Sequence, residues 1–275
     1  MVSEHPMLDS IHIRLLTYHF IALKPPWWRI QNIQSTFWRF YMNNRDGAFL
    51  EQGSGSYPFQ PGRLYFIPAG VRFTTNLKQD VGHLYVHFDL IGLPHLVRRE
   101  IFSHVIGLPP MPVLEKTVWE LMGELERHEG VELIQQFRVK AILYEGLTRH
   151  LEQMPEEDLQ RCLRLTSTME PVLPAVQHIE INLASPLPNT DLANLCHMNT
   201  DYFIRRFREC MGQTPGQYIQ EQRVKRAEQQ ILLTNQSIEQ IATNNGFGSR
   251  FYFTRVFTQH TGVSPAAYRK GLCGD

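Results

Sequence analysis

The chain has 275 residues, a formal net charge of zero and 43% hydrophobic residues. It is long enough for two domains and apolar enough to build ordinary globular cores, and its balanced charge does not by itself advertise nucleic-acid binding. The nearest approach to a membrane-spanning run, residues 11–23, is interrupted by Arg14 and His19 and has no cleavage site after it, so neither a membrane span nor a signal peptide is expected. Four cysteines, Cys162, Cys196, Cys210 and Cys273, have neither CxxC nor metal-site spacing, which favours free thiols in a reducing cytoplasm.

The first ~110 residues are β-rich. Residues 37–41, 64–67 and 83–88 are aromatic or β-branched runs. Turn clusters separate them: Asn43-Asn44-Arg45-Asp46-Gly47, Gly53-Ser54-Gly55-Ser56, Gln60-Pro61-Gly62 and Pro68-Ala69-Gly70. Closely spaced strands with such turns predict a barrel or sandwich. Strand alternation places His83, Tyr85 and His87 on one face and Leu84, Val86 and Phe88 on the other. A barrel interior either fills with side chains or holds a ligand. Trp38, Tyr41, His83 and Tyr85 are therefore candidate ligand-binding residues, although the same aromatics suit a packed core. Trp27 and Trp28 suit a core or arm-packing role. His83 and His87 lie roughly 13 Å apart along a strand, too far to chelate one ion together, so no metal site and no cofactor are expected.

Pro109-Pro110-Met111-Pro112 marks the exit from the β-rich part. Two helical patterns follow, residues 113–128 and 131–154. The second carries Ile134, Phe137, Ala141, Tyr144 and Leu151 on one face, widened by Leu133, Ile142, Leu143 and Leu147. So wide a stripe must be covered, by the chain's own barrel or by a second copy. Pro155-Glu156-Glu157-Asp158 reads as an acidic linker, and residues 168–183 as the first helix of the next domain, with Pro171 and Pro174 in or before its first turn.

Residues 189–270 contain one pattern written twice. Leu192-Ala193-Asn194-Leu195, a turn, residues 201–207, Gly212, Pro215 and Tyr218 form the first copy. Ile241-Ala242-Thr243-Asn244, a turn through Gly246, residues 251–257, Gly262, Pro265 and Tyr268 form the second. The offset is 49 positions before the turn and 50 after it, as for a repeated unit with one residue inserted where insertion is easiest. Each copy predicts helix, tight turn, helix. Phe203 and Phe207, and likewise Phe253 and Phe257, are four apart on an inward face. Asp201, Ile204, Arg205 and Arg208 share an outer stripe in the first copy, as do Phe251, Thr254, Arg255 and Thr258 in the second. That is a helix-turn-helix, whose second helix enters a DNA major groove. Residues 216–233 predict one connecting helix, long enough to hold the units about one turn of DNA apart.

The runs Arg223-Val224-Lys225-Arg226-Ala227 and Ser237-Ile238-Glu239-Gln240-Ile241-Ala242 resemble the AraC/XylS family of bacterial transcription regulators. So do Gly246-Phe247, residues 252–257 and Thr261-Gly262-Val263-Ser264-Pro265-Ala266-Ala267-Tyr268-Arg269. The resemblance covers about the last third of the chain. It implies two helix-turn-helix units on a rigid linker helix, with base-reading positions at Asp201, Ile204 and Arg205 and at Arg250, Phe251, Thr254 and Arg255. Arg206, Arg208, Arg223 and Arg226 suit phosphate contacts or solvated charges, and Arg208 joins the DNA-binding set. Phe251 departs from the family's usual small or polar residue; either it suits a thymine methyl or this unit reads bases weakly. Residues 61–70 with 83–88 are similar to the cupin-like sensor barrel of the family's sugar-responsive members, which places His83 and Tyr85 near sugar-contacting positions.

The expectation is thus an α+β, multi-domain chain. Residues 1–112 form a cupin-like β-barrel, residues 113–154 a helical dimerisation region, and residues 168–272 an all-α double helix-turn-helix domain. Its expected function is sequence-specific DNA-binding transcriptional regulation in the cytoplasm. The expected partners are double-stranded DNA, a small-molecule effector with sugars among the candidates, RNA polymerase, and a second copy in a homodimer. The alternative is a cupin-type metal-dependent enzyme with an accessory DNA-binding domain.

Overall fold

The computed structural model describes residues 11–272 apart from 26, 27, 29, 30, 94 and 168. Trp27, Thr168 and Cys273 lie outside the described residues. The chain divides into two compact units. One gathers residues 13–91 and 102–159, the other residues 92–101 with those from 160 onward.

The first unit is built on two sheets. One has the order β1 (His12–Leu23), β8 (Val81–Ile91), β3 (Trp38–Asn43), β6 (Tyr65–Ile67), β9 (Ile106–Gly107). The other has the order β2 (Ile33–Gln34), β7 (Arg72–Leu77), β4 (Ala48–Gln52), β5 (Gly55–Pro58). β3 is the centre of the first sheet and pairs antiparallel with both neighbours, Phe40 facing Val86 on one side and Phe66 on the other. Every residue of β3 is buried, because both faces of the strand are covered. One face meets the second sheet. Tyr41, Tyr65 and Ile67 pack there with Leu50, Phe73, Leu77, Phe59 and Trp28 in one apolar cluster. The other face carries Trp38, Phe40, Phe66 and Phe88, whose rings lie 5.2–6.0 Å apart.

Two helices follow, α2 (Pro112–Glu126) and α3 (Glu132–Glu152); α1 (His95–Ile101) precedes them in the chain and groups with the second unit. α3 comes down on the Trp38–Phe66 face. A Cβ at Gly146 would lie 2.8 Å from the Phe66 ring and 3.1 Å from Leu108, so only glycine permits that approach. The wide apolar stripe of α3 is therefore split. Val139, Ile142, Leu143 and Leu147 are buried, while Ile134, Phe137 and Tyr144 stay exposed, Phe137 by 68%.

α4 (Glu156–Ser167) runs across the division at residue 160, and the second unit continues with α5 (Leu173–Ile181), α6 (Asn189–Leu195), α7 (Thr200–Met211), α8 (Pro215–Leu233), α9 (Ile238–Asn244), α10 (Arg250–Thr261) and α11 (Pro265–Leu272). The acidic stretch expected as a linker is instead the start of α4. Glu156, Glu157 and Asp158 occupy its first turn, where carboxylates complement the helix dipole. The helix expected over 168–183 is shorter. Pro171 lies in a 3-10 turn (Glu170–Val172) and Pro174 in the first turn of α5.

Two apolar clusters make up this unit. Phe203, Phe207, Leu192, Ala193 and Tyr218 anchor one, and Phe253, Phe257, Ile241, Ala242 and Tyr268 the other. The duplication reaches the ring geometry: Phe203–Phe207 and Phe253–Phe257 are both 5.5 Å apart, and Phe207–Tyr218 and Phe257–Tyr268 are 5.7 and 5.5 Å.

Candidate nucleic-acid interface and inter-sheet cluster

Each helix-turn-helix is closed by local chemistry that the sequence repeats. In the first, Met198 N–H donates to Ala193 O at 3.0 Å; in the second, Phe247 N–H donates to Ala242 O at 3.0 Å. His197 adopts φ +54° at the place where Gly246 adopts φ +72°, so a non-glycine carries the same left-handed turn in the first copy. The next helices, α7 and α10, are capped alike. The side chains of Asn199 and Ser249 accept from Tyr202 N–H and Tyr252 N–H, and Gly212 and Gly262 end the helices in the left-handed conformation. Met198 and Phe247 are 49 positions apart, Asn199 and Ser249 are 50 apart, and Gly248, in open space, is the inserted residue.

These caps fix which faces of α7 and α10 are free. Asp201, Arg205 and Arg208 are exposed on α7, and Arg250, Phe251 and Arg255 on α10. Arg205 lies over the Tyr202 ring and Arg255 over the Tyr252 ring, each at 5.3 Å, so the two arginines have the same local support. Among the described residues Arg205, Arg208, Arg250 and Arg255 form no ion pair, unlike Arg206, which pairs with Glu209 at 3.3 Å. Phe251 is 84% exposed. Ile204 is half-buried and packs on the first core, and Thr254 is half-buried as well, so these two stand at the margin of their stripes.

α8 joins the units and opens with a capping box between Thr214 and Gln217. Arg223, whose sequence suits a phosphate contact or a solvated charge, lies on this helix and is turned inward. Its guanidinium donates to Leu183 O (2.8 Å), Ser185 O (2.8 Å) and Gly246 O (2.9 Å). One side chain therefore ties the segment leading into the first helix-turn-helix to the turn of the second. Glu221, two residues earlier, binds Lys225 at 2.9 Å and Arg98 of α1 at 3.5 Å and accepts from Gln213 at 2.8 Å. Burial alone would raise its carboxyl, but the two cations and the hydrogen bonds hold it well below the usual carboxylate range.

In the first unit, Tyr41, His83 and Tyr85 do share a face, turned toward the second sheet. Tyr41 pairs in register with Tyr85, and Asn43 with His83. Trp28 lies 5.0 Å from His83 and 6.0 Å from Tyr41. Trp38 does not join them. It stands on the opposite face of β3, against Phe88 at 5.8 Å and Phe102 at 4.8 Å, because successive strand residues point to opposite sides. The same alternation brings in residues the sequence reading did not single out. Arg39 and Asn43 flank Tyr41 on its face, and Arg39 pairs in register with His87. The signal available was the alternation of Arg39, Tyr41 and Asn43 opposite His87, Tyr85 and His83. Burial pushes His83 down to about 3 and His87 well below its ordinary value, so both rings are neutral at physiological pH.

Paired helix-turn-helix units on one connecting helix, following an antiparallel β unit in the chain, define a double helix-turn-helix fold. Residues 192–271 match the family model described as a helix-turn-helix domain. YfiF of Bacillus subtilis, described as an uncharacterized HTH-type transcriptional regulator, is 37% identical over 92 residues, covering 34% of this chain and 29% of that one. The chain thus spans well under two thirds of that relative. The raffinose operon transcriptional regulatory protein RafR of Pediococcus pentosaceus is 26% identical over 88% of this chain and 87% of its own. The crystal structure of ToxT from Vibrio cholerae shares the fold over 97% of this chain and 100% of its own, with a TM-score of 0.55 at 14% identity. The chain carries a helix-turn-helix domain over residues 192–271, and the proteins it resembles include transcriptional regulators.

Proposed function

We propose that this protein is a sequence-specific transcriptional regulator that reads two neighbouring major grooves of double-stranded DNA through α7 and α10. One observation carries the reading: two equivalently capped helices each present an exposed, ring-supported arginine, Arg205 and Arg255, with no ion-pair partner among the described residues. A guanidinium so placed suits bidentate pairing with guanine, Arg250 stands at a further base-reading position, and Arg208 suits a phosphate. Asp201, Phe251 and the marginal Ile204 and Thr254 complete the contact set. Residues 168–272 are the DNA-binding domain on this reading.

The exposed Ile134, Phe137 and Tyr144 of α3 make residues 113–154 the surface for a second copy, giving a homodimer. Residues 1–112 are the sensor part, with a small-molecule effector seated among Tyr41, His83 and Tyr85. The name of RafR includes the raffinose operon, which keeps sugars among the candidates. RNA polymerase is the partner through which a bound regulator would act, and the cytoplasm is the setting. No described helix is long and apolar enough to cross a membrane. The metal-dependent enzyme alternative has no observation in its favour.

The experiment is selection of bound fragments from random duplex DNA, followed by gel shift with wild type, Arg205→Ala and Arg255→Ala. The reading requires two enriched motifs about one helical turn apart, one relaxed by each substitution. Recovery of unrelated sequences with no shared motif would reject it.

A further inference from the structure

We propose that Phe251 is a base-reading residue, and that α10 uses it to select a thymine through its C5 methyl group. This rests on the two-groove reading above and names what the second unit recognises that the first does not.

The duplication supplies its own control. At an offset of 50 positions Tyr202 matches Tyr252, Phe203 matches Phe253 and Arg205 matches Arg255, while Asp201 matches Phe251. The two helices start from equivalent caps, and each holds its arginine 5.3 Å from a tyrosine ring. Asp201 stands four residues before Arg205, and Phe251 four residues before Arg255, so each shares a helix face with its arginine. The frame is repeated, and the chemistry at this one contact position is not.

Phe251 takes no part in holding its unit together. Its neighbours Tyr252 and Phe253 both pack on Phe247, at 6.2 and 4.9 Å, and the Tyr252 hydroxyl accepts from Gln220 Nε2 at 2.9 Å. The Phe251 ring is 84% exposed and belongs to neither apolar cluster of the unit. A lone exposed ring elsewhere on a surface carries no message. This one stands beside Arg250 and one turn before Arg255, both exposed, a setting that suits a polyanion.

In the major groove the apolar group that a base pair presents is the thymine methyl. An apolar wedge that unstacks base steps works from the minor groove, whereas the Arg255 guanidinium on the same face reaches guanine O6 and N7 from the major groove. Four residues of helix span ~6 Å and successive bases rise ~3.4 Å, so the thymine lies one or two base pairs from the guanine read by Arg255. Asp201, placed the same way on α7, accepts from a cytosine amino group instead. Two copies of one frame thus read unlike sites, which sets the orientation of the chain on its DNA.

The test uses the full chain and the duplex recovered by the selection described above. Each thymine is replaced in turn by deoxyuridine, which keeps base pairing and removes only the methyl group. Affinity is measured by fluorescence anisotropy at one fixed salt concentration for wild type and Phe251→Ala. We expect one thymine, within two base pairs of the guanine relaxed by Arg255→Ala, at which deoxyuridine weakens wild type about three- to fivefold, the worth of one buried methyl group. Phe251→Ala should bind both duplexes equally and keep the wild-type melting temperature. In its own selection it should lose the thymine while retaining the guanine and the whole α7 motif. Thymines under α7 should tolerate deoxyuridine. Should Phe251→Ala fold poorly, the deoxyuridine scan on wild type decides.

Wild type indifferent to deoxyuridine throughout the α10 motif overturns the proposal. So does a methyl dependence that Phe251→Ala keeps, or a Phe251→Ala loss spread evenly over all sequences. Each of these leaves the two-groove reading standing when two motifs are recovered. Recovery of no shared motif removes both.

Discussion

Arg223 and Gly246 are 23 positions apart and meet in the second unit: the guanidinium donates to Gly246 O at 2.9 Å, and a Cβ on Gly246 would lie 2.9 Å from its carbon. Gly246 thus serves two ends, the φ +72° turn and room for the side chain that ties both helix-turn-helix units to α8. Arg223→Gln keeps a polar side chain but loses two or three of the charge-assisted bonds. We expect a loss of about 2–3 kcal/mol of stability, measured by urea denaturation. Gly246→Ala should destabilise in the same sense. In DNA selection, Arg223→Gln should tolerate a wider range of motif separations than wild type; unchanged spacing would mean that α8 alone sets it.

Arg205→Ala and Arg255→Ala each remove one exposed guanidinium without touching a core. Each should cost ~1–3 kcal/mol of binding to the selected DNA and relax preference at one base pair. Arg208→Ala should instead weaken all sequences alike and lower the salt slope by about one. Fluorescence anisotropy across a salt series separates the two behaviours.

Phe137 is the most exposed of the α3 aromatics and aliphatics. Phe137→Glu should leave the melting temperature nearly unchanged, as surface substitutions do, and shift sedimentation from dimer to monomer. A wild-type chain that sediments as a monomer at micromolar concentration removes this surface from the proposed assembly.

Glu221 titrates in a definite window. Its folded pKa is depressed below the unfolded reference of 4.5, so its ion pairs contribute fully above about pH 4.5 and are lost as pH falls toward the folded value. The second unit should therefore lose stability on acidification below that point. Glu221→Gln should flatten this part of the profile, measured by thermal melts between pH 3 and pH 6; an unaltered profile would assign the acid sensitivity to other carboxylates.

Each copy of the repeat was legible because its signals are local. Aromatic spacing and the turn glycine Gly246 lie within a few residues of the structure they create, as do the caps Asn199 and Ser249 and the stops Gly212 and Gly262 that the structure added. Helix ends were less legible. The acidic run after Pro155 read as a break, although carboxylates in a first turn stabilise a helix start as readily as they solvate a linker.

By itself, the sequence determined that this chain has two helix-turn-helix units with exposed arginines, since periods of 3.6 and capping chemistry act within one turn. It also determined that the N-terminal part is stranded, and which side chains share a strand face. Only the tertiary structure decided what covers each face: that Trp38 turns to the helices and Arg39 to the second sheet, that α3 buries half its stripe, and that Arg223 faces inward. Those outcomes depend on contacts between residues far apart in the chain, such as Gly146 with Phe66 and Arg223 with Leu183, and no local pattern carries that information.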